Sequence, residues 1–103
     1  MSDRVLGLVG LGLRAGQVVV GVDAVRAELQ RNAIQCVVIA SDASPRALEK
    51  VSRLAKARGI PIVEAGKSAA LGARLGRPPV MVAGVRDPKL AAGILAAGQP
   101  AKQ

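Results

Sequence analysis

The sequence predicts an α/β protein, a three-layer α/β/α sandwich with a central mixed four-stranded sheet. Three observations predict it. Cys36-Val37-Val38-Ile39-Ala40 is an unbroken apolar run with β-branched residues at its centre, the pattern of a strand buried on both faces. The run stops at Ser41-Asp42-Ala43-Ser44, followed by Pro45. Those are turn and capping residues before a proline suited to the first turn of a helix, at the edge where open α/β sheets usually meet ligands. Strand and helix signals also alternate along the whole chain, giving about five helices and four strands.

Each element has its own signal. Ser2-Asp3 can cap a first helix, with Val5, Leu6, Val9 and Leu13 near one side and Gly16 as its stop. The glycines of this helix each cost about 1 kcal/mol relative to alanine, so close packing is the expected compensation. Gln17-Val18-Val19-Val20 reads as a short strand. Gly21 opens a second helix, with Val22, Val25 and Leu29 at helical spacing, and Arg31-Asn32 ends it. After the central strand, Pro45–Arg58 is a helix with Leu48, Val51, Leu54 and Ala55 toward the core and Gly59 as its stop. Ile60–Glu64 is a third strand, short because Pro61 cannot donate to a ladder. Gly66-Lys67-Ser68 leads to a short helix bearing Leu71 and Leu75. Arg77-Pro78-Pro79 is a stiff loop before a fourth strand, Val80–Val85. Asp87-Pro88 starts the last helix, with Leu90, Ala91, Ile94 and Leu95 inward. Strand-to-helix connections imply mostly parallel pairing, with room for one antiparallel strand. Residues 1–98 are expected to form one domain and 99–103 a flexible tail, with no repeat and no linker.

Composition narrows the function. Fifteen basic residues against seven acidic leave a net charge of +8, which favours a polyanionic partner, most often nucleic acid. There is no histidine, so the commonest general base is missing. The single cysteine, Cys36, lies in the buried-strand pattern and reads as a core thiol. With no Cys/His cluster a zinc site is not expected, and no cofactor is implied. The absence of Phe, Tyr and Trp disfavours modules that stack single-stranded bases on aromatic rings. Any RNA must then be met by charge, backbone groups and polar side chains. Arg4 followed by Val5–Leu13 faintly resembles an export signal, but glycines interrupt it. No run of about 20 apolar residues suggests a membrane span. The cytoplasm is the expected location, with no membrane partner.

Two motifs invite functional readings. Gly10-Leu11-Gly12-Leu13-Arg14-Ala15-Gly16 approaches a dinucleotide fingerprint. A strand follows where that motif needs a helix, so helix packing is the preferred reading. The second is a set of loops at one sheet end: Gly21 with the start of the second helix, Ser41-Asp42, and Arg77-Pro78-Pro79. A glycine before a helix allows close approach, and helix amides attract phosphate.

In order and spacing, Leu11–Gly21, Cys36–Pro45, Gly59–Glu64 and the Leu71-Gly72 and Leu75-Gly76 pairs resemble the ribosomal protein L-seven-Ae family. The likeness is greatest to its small bacterial YlxQ-like members and spans roughly residues 3 to 97. The resemblance implies the α/β/α sandwich. It also implies non-enzymatic binding of kink-turn-like RNA, linked to ribosomes or translation, with a ribosomal or translation-factor protein as a candidate partner and the chain acting as a monomer. Carried over by position, the family's glycine is Gly21 and its RNA-contacting asparagine falls on Asp23. Its guanine-reading glutamate and lysine fall on Ala24 and Ala27, a basic residue on Arg31, and its extruded-base loop on Arg77-Pro78-Pro79. Three readers are thus replaced. The expected RNA-binding residues are Arg14, Gln17, Gly21, Asp23, Arg26, Arg31, Ser41, Arg77, Pro78 and Pro79. The alternative is a protein-interaction module on the same scaffold that has lost RNA recognition. A nucleotide-binding enzyme, built on the glycine motif, ranks third.

Overall fold

The computed structural model describes residues 3–100. Five helices alternate with strands in the order α1 (Asp3–Arg14), β1 (Val18–Val20), α2 (Val22–Gln30), β2 (Cys36–Ile39), α3 (Pro45–Ala57), β3 (Ile62–Glu64), α4 (Ser68–Leu75), β4 (Val82–Val85), α5 (Pro88–Ala97) and β5 (Gln99–Pro100). The sheet order is β1-β4-β2-β3-β5. The four expected strands are present. β5 lies beyond the expected domain boundary at residue 98, pairing antiparallel with β3. Ser2, expected to cap α1, and residues 101–103 of the expected tail lie outside the described residues.

Side chains alternate across the sheet and build two cores. Cys36 and Val38 of β2, with Ala83 and Val85 of β4, pack under α1, α4 and α5 beside Val5, Val9, Leu71 and Ile94. Val37 and Ile39, with Val82, pack against α2 and α3 beside Val25, Leu29, Ile34 and Val51. Every residue of β2 and β4 is buried. Burying one such aliphatic side chain contributes about 1.5–3 kcal/mol, so these two strands anchor the fold. Cys36 belongs to this core, and burial pushes its thiol up to about 12.

The helices start where the sequence marks them. Ser44 Oγ accepts from Ala47 N–H at 3.2 Å with Pro45 in the first turn, and Asp87 Oδ2 accepts from Leu90 N–H at 2.8 Å ahead of Pro88. Each such cap contributes about 1 kcal/mol. The glycine motif lies within α1 and its C-terminal turn, not on a strand-to-helix loop. A Cβ on Gly12 would collide with Leu90 and Val18, so this glycine serves close packing.

The pairing corrects one expectation. Among the described strands only β2 and β3 are parallel, while β4 runs antiparallel to both β1 and β2. The cause is the segment after α4. Gly76 takes a left-handed conformation, and Arg77-Pro78-Pro79 turns back along the helix until Val80 N–H bonds the Ser68 carbonyl at 3.0 Å. Gly72 makes the return possible. A Cβ there would overlap the Pro78 carbonyl oxygen and lie 2.9 Å from that of Arg77. The chain therefore re-enters the sheet at the end it left, and β4 must run the other way.

Candidate nucleic-acid interface

The doubled-back loop brings three segments to one sheet end. Gly21 N–H donates to the Val82 carbonyl at 2.9 Å, Ala40 N–H to Met81 at 2.8 Å, and Ser41 N–H to Gly66 at 2.6 Å. The start of α2, the β2–α3 loop and the α4–β4 loop are thus stitched together by backbone bonds. Ser41, Arg77, Pro78 and Pro79 are all exposed there.

Gly21 sits at φ 103°, ψ 151° as the N-cap of α2, with no side chain capping the helix. That conformation belongs almost entirely to glycine. The first bond of the helical ladder runs from Val25 N–H to the Gly21 carbonyl at 3.0 Å. The amides of Val22, Asp23 and Ala24 precede it and point out of the helix end, where they attract anions. Asp23, Ala24 and Ala27 are exposed on α2. The three positions carried over from the family therefore face solvent, followed one turn later by Arg31.

Asp42 shapes the same end. Its carboxylate accepts from Ser68 N–H at 2.7 Å and Ser68 Oγ at 3.0 Å, so it caps α4 from another loop. The Ser68 amide bond holds the Asp42 carboxyl below its usual range, helped by the Ser68 hydroxyl and Lys67. Ser68 is the one buried polar side chain among the described residues. Sequence reading placed Asp42 in a turn but had no signal for this partner, 26 residues away.

The expected site residues do not all share this end. Gly21, Asp23, Ser41 and the Arg77-Pro78-Pro79 loop do. Arg14, Gln17 and Arg31 lie at the opposite end. There the Gln17 carbonyl accepts from Arg86 N–H at 2.8 Å, and Arg31 stands 3.9 Å from Glu28. Arg86 also grips Glu28 with two bonds, Nε at 2.9 Å and Nη2 at 3.2 Å, and donates Nη1 to the Gly16 carbonyl at 2.9 Å. The Arg86 hydrogen bond, chiefly, holds the Glu28 carboxyl below its usual range, against the effect of burial. Arg26 occupies the flank between the two ends. It lines a groove with Gln30, Glu49, Lys50 and Arg53 of about 330 Å³. Its Nε is the one buried side-chain polar atom without a partner among the described residues. An unmet buried donor costs about 1–3 kcal/mol, and an acceptor brought by a ligand would relieve it.

No helix among the described residues is long and apolar enough to cross a membrane, and no curated protein matches the sequence. Among solved structures, a protein of unknown function from Bacillus halodurans superposes with a TM-score of 0.86 at 28% identity, covering 91% of this chain and 95% of that one. A 15.5kD RNA binding protein from Giardia lamblia superposes with a TM-score of 0.76 at 26% identity, covering 90% of this chain and 82% of that one. The model of the ribosomal protein L7Ae/L30e/S12e/Gadd45 family matches residues 3–94. With that match and the sandwich just described, the chain belongs to this family.

Proposed function

We propose that this protein binds structured, kinked RNA without catalysing a reaction, in the cytoplasm and in association with ribosomes or translation. One observation carries the reading: the uncapped start of α2 at Gly21 opens beside Ser41 and the Pro78-Pro79 loop, on a chain of net charge +8. The RNA-binding relative from Giardia lamblia supports it. In this reading the amides of the first turn of α2 meet a phosphate, and the rigid proline loop accommodates the bend at low entropic cost. Arg26 and Arg77 supply phosphate contacts on either side. Arg14, Gln17 and Arg31 serve only RNA that extends past the far sheet end. The charge of Asp23 opposes phosphate, and Ala24 and Ala27 read no base edge, so recognition rests on shape.

The test uses kinked RNA and a straight duplex of equal length. The native chain should prefer the kinked RNA, with a log–log salt slope of about −2 to −3 for the three phosphate contacts just named. Changing Asp23→Asn, Ala24→Glu and Ala27→Lys together should raise affinity for the kinked RNA by about fivefold or more, since a realised base contact contributes about 1–3 kcal/mol. Equal gains on both RNAs, or none, would remove these positions from the interface. The protein-interaction reading would then move ahead. Ribosome association predicts co-sedimentation with ribosomal particles that ribonuclease abolishes.

A further inference from the structure

A second charged surface lies outside the interface just described. α1 and α4 pack together on the sheet face away from α2. Between them runs a cleft of about 430 Å³, whose lining includes Arg4, Gly7, Gly10, Leu11, Arg14 and Arg74 and no acidic residue. All three arginines are exposed. Among the described residues Arg31, Arg53 and Arg86 stand against a carboxylate; Arg4, Arg14 and Arg74 do not, a state they share with Arg26, Arg46, Arg58 and Arg77.

Glycines shape the cleft. A Cβ on Gly10 would stand 3.3 Å from Arg74 Cγ, and one on Gly7 would stand 3.6 Å from Arg74 Nη1. The stem of Arg74 therefore lies along α1 and carries its guanidinium to Gly7, between Arg4 and Arg14 along the helix. Arg4 and Arg14 are about 15 Å apart along the axis at 1.5 Å per residue. An arginine covering apolar surface with its stem explains Arg74 alone. It does not explain three like charges along one cleft with no counter-charge among the described residues, an arrangement that self-repulsion disfavours and a polyanion would relieve.

We propose that this arginine cleft is a second RNA contact, taking consecutive backbone phosphates of one strand. It rests on the RNA-binding reading above and adds to it a separate surface. Guanidinium groups match phosphate oxygens with paired hydrogen bonds. The cleft is long enough for more than one phosphate of a single strand. An acidic peptide would need apolar anchors to hold one pose, and Leu11 is the one exposed large apolar side chain in the cleft. α4 joins the two surfaces, since Arg77 of the proline loop follows Arg74 by one turn. RNA held at the Gly21 end then extends a stem or tail to the cleft.

The experiment compares the native chain with two triple variants. One carries Arg4→Gln, Arg14→Gln and Arg74→Gln; the other carries lysine at the same three positions. Filter binding is measured against kinked RNA with one stem extended by about ten base pairs, over a salt series. The glutamine variant should bind about tenfold or more weakly near 0.1 M salt, with a slope shallower by about 2 to 3, while the lysine variant keeps the native slope. An unchanged slope in the glutamine variant would overturn the cleft and leave the Gly21 interface standing. No binding by the native chain to any RNA would overturn both. Polyglutamate competing as well as RNA of equal charge would overturn the assignment to RNA. Should the glutamine variant fail to fold, the amide resonances of Gly7 and Gly10 in the native chain decide. Shifts on RNA titration support the cleft, and their absence overturns it.

Discussion

At the far end of the sheet an arginine and a glutamate answer each other; at the Gly21 end Asp42 holds Ser68, while the start of α2 and the proline loop face outward. Arg86, Glu28 and the Gly16 carbonyl close the far end with three hydrogen bonds, and Arg31 adds its charge to the same glutamate. At the other end the loops are tied by backbone bonds, and α2 starts without a side-chain cap. The lesson is that arginine content does not locate a site. The charge of Arg86, and part of that of Arg31, is answered within the protein. The end suited to a ligand is built mainly from glycine, proline and backbone amides.

Breaking the open end should have the largest effect. Gly72→Val forces a side chain into the Pro78 carbonyl. Both neighbours are backbone, so neither can swing away. We expect a loss of about 3 kcal/mol or more by denaturant unfolding, together with lost RNA affinity. A stable variant with native binding would show that the returning loop is not held by this contact.

Gly21→Ala should follow. Nothing lies within 4 Å of the added Cβ, so the cost is purely conformational, about 1–3 kcal/mol at this φ. A crystal structure of the variant showing α2 starting elsewhere would sharpen the point, because the donors would then be re-aimed. An unchanged stability would break it.

Glu28→Gln tests the closed end through pH. The folded carboxyl is depressed below its ordinary value of 4.5 by Arg86. Its contribution is therefore present in full above that value and is lost as pH falls through the folded value. The thermal midpoint of the variant should lie below that of the native chain at neutral pH and converge with it in acid. High salt should narrow the gap. RNA binding at the Gly21 end should not change.

The smallest effect is expected from Asp42→Asn. Asparagine can still accept from Ser68 N–H, and the site is exposed. The native carboxyl is depressed below 3.8, so any stability difference should fade only as pH falls below that value. Removing a negative charge beside the candidate interface should instead strengthen RNA binding slightly. A weaker complex would mean that Asp42 itself meets the ligand, and the contrast between the two ends would need redrawing.

Much of the fold was legible in local chemistry. Cys36–Ile39 announced a buried strand because only a two-faced core tolerates such a run. Ser44-Pro45 and Asp87-Pro88 announced helix starts because cap and proline act within one turn. The loops at the Gly21 end were legible for the same reason, each being a local turn signal. Mostly parallel pairing was expected and did not occur, because the direction of β4 depends on a loop folding back onto Gly72. The Asp42–Ser68 and Arg86–Glu28 contacts join residues 26 and 58 positions apart, beyond any local pattern.

The sequence by itself determined the five helices, four of the five described strands, most of their apolar positions and the excess of positive charge. These follow from propensity, periodicity and composition, which act over a few residues. Leu95, expected inward, is exposed, and Gln99–Pro100, expected in the tail, pairs with β3. The tertiary structure alone decided where that charge is answered and where it is left open. By running β4 backward between β1 and β2, it brought the proline loop to Gly21 and Ser41 and put Arg86 beside Gln17. It also laid Arg74 beside Arg4 and Arg14 by packing α4 on the glycines of α1. Distances between charges are set by how elements pack, and packing is a property of the whole chain.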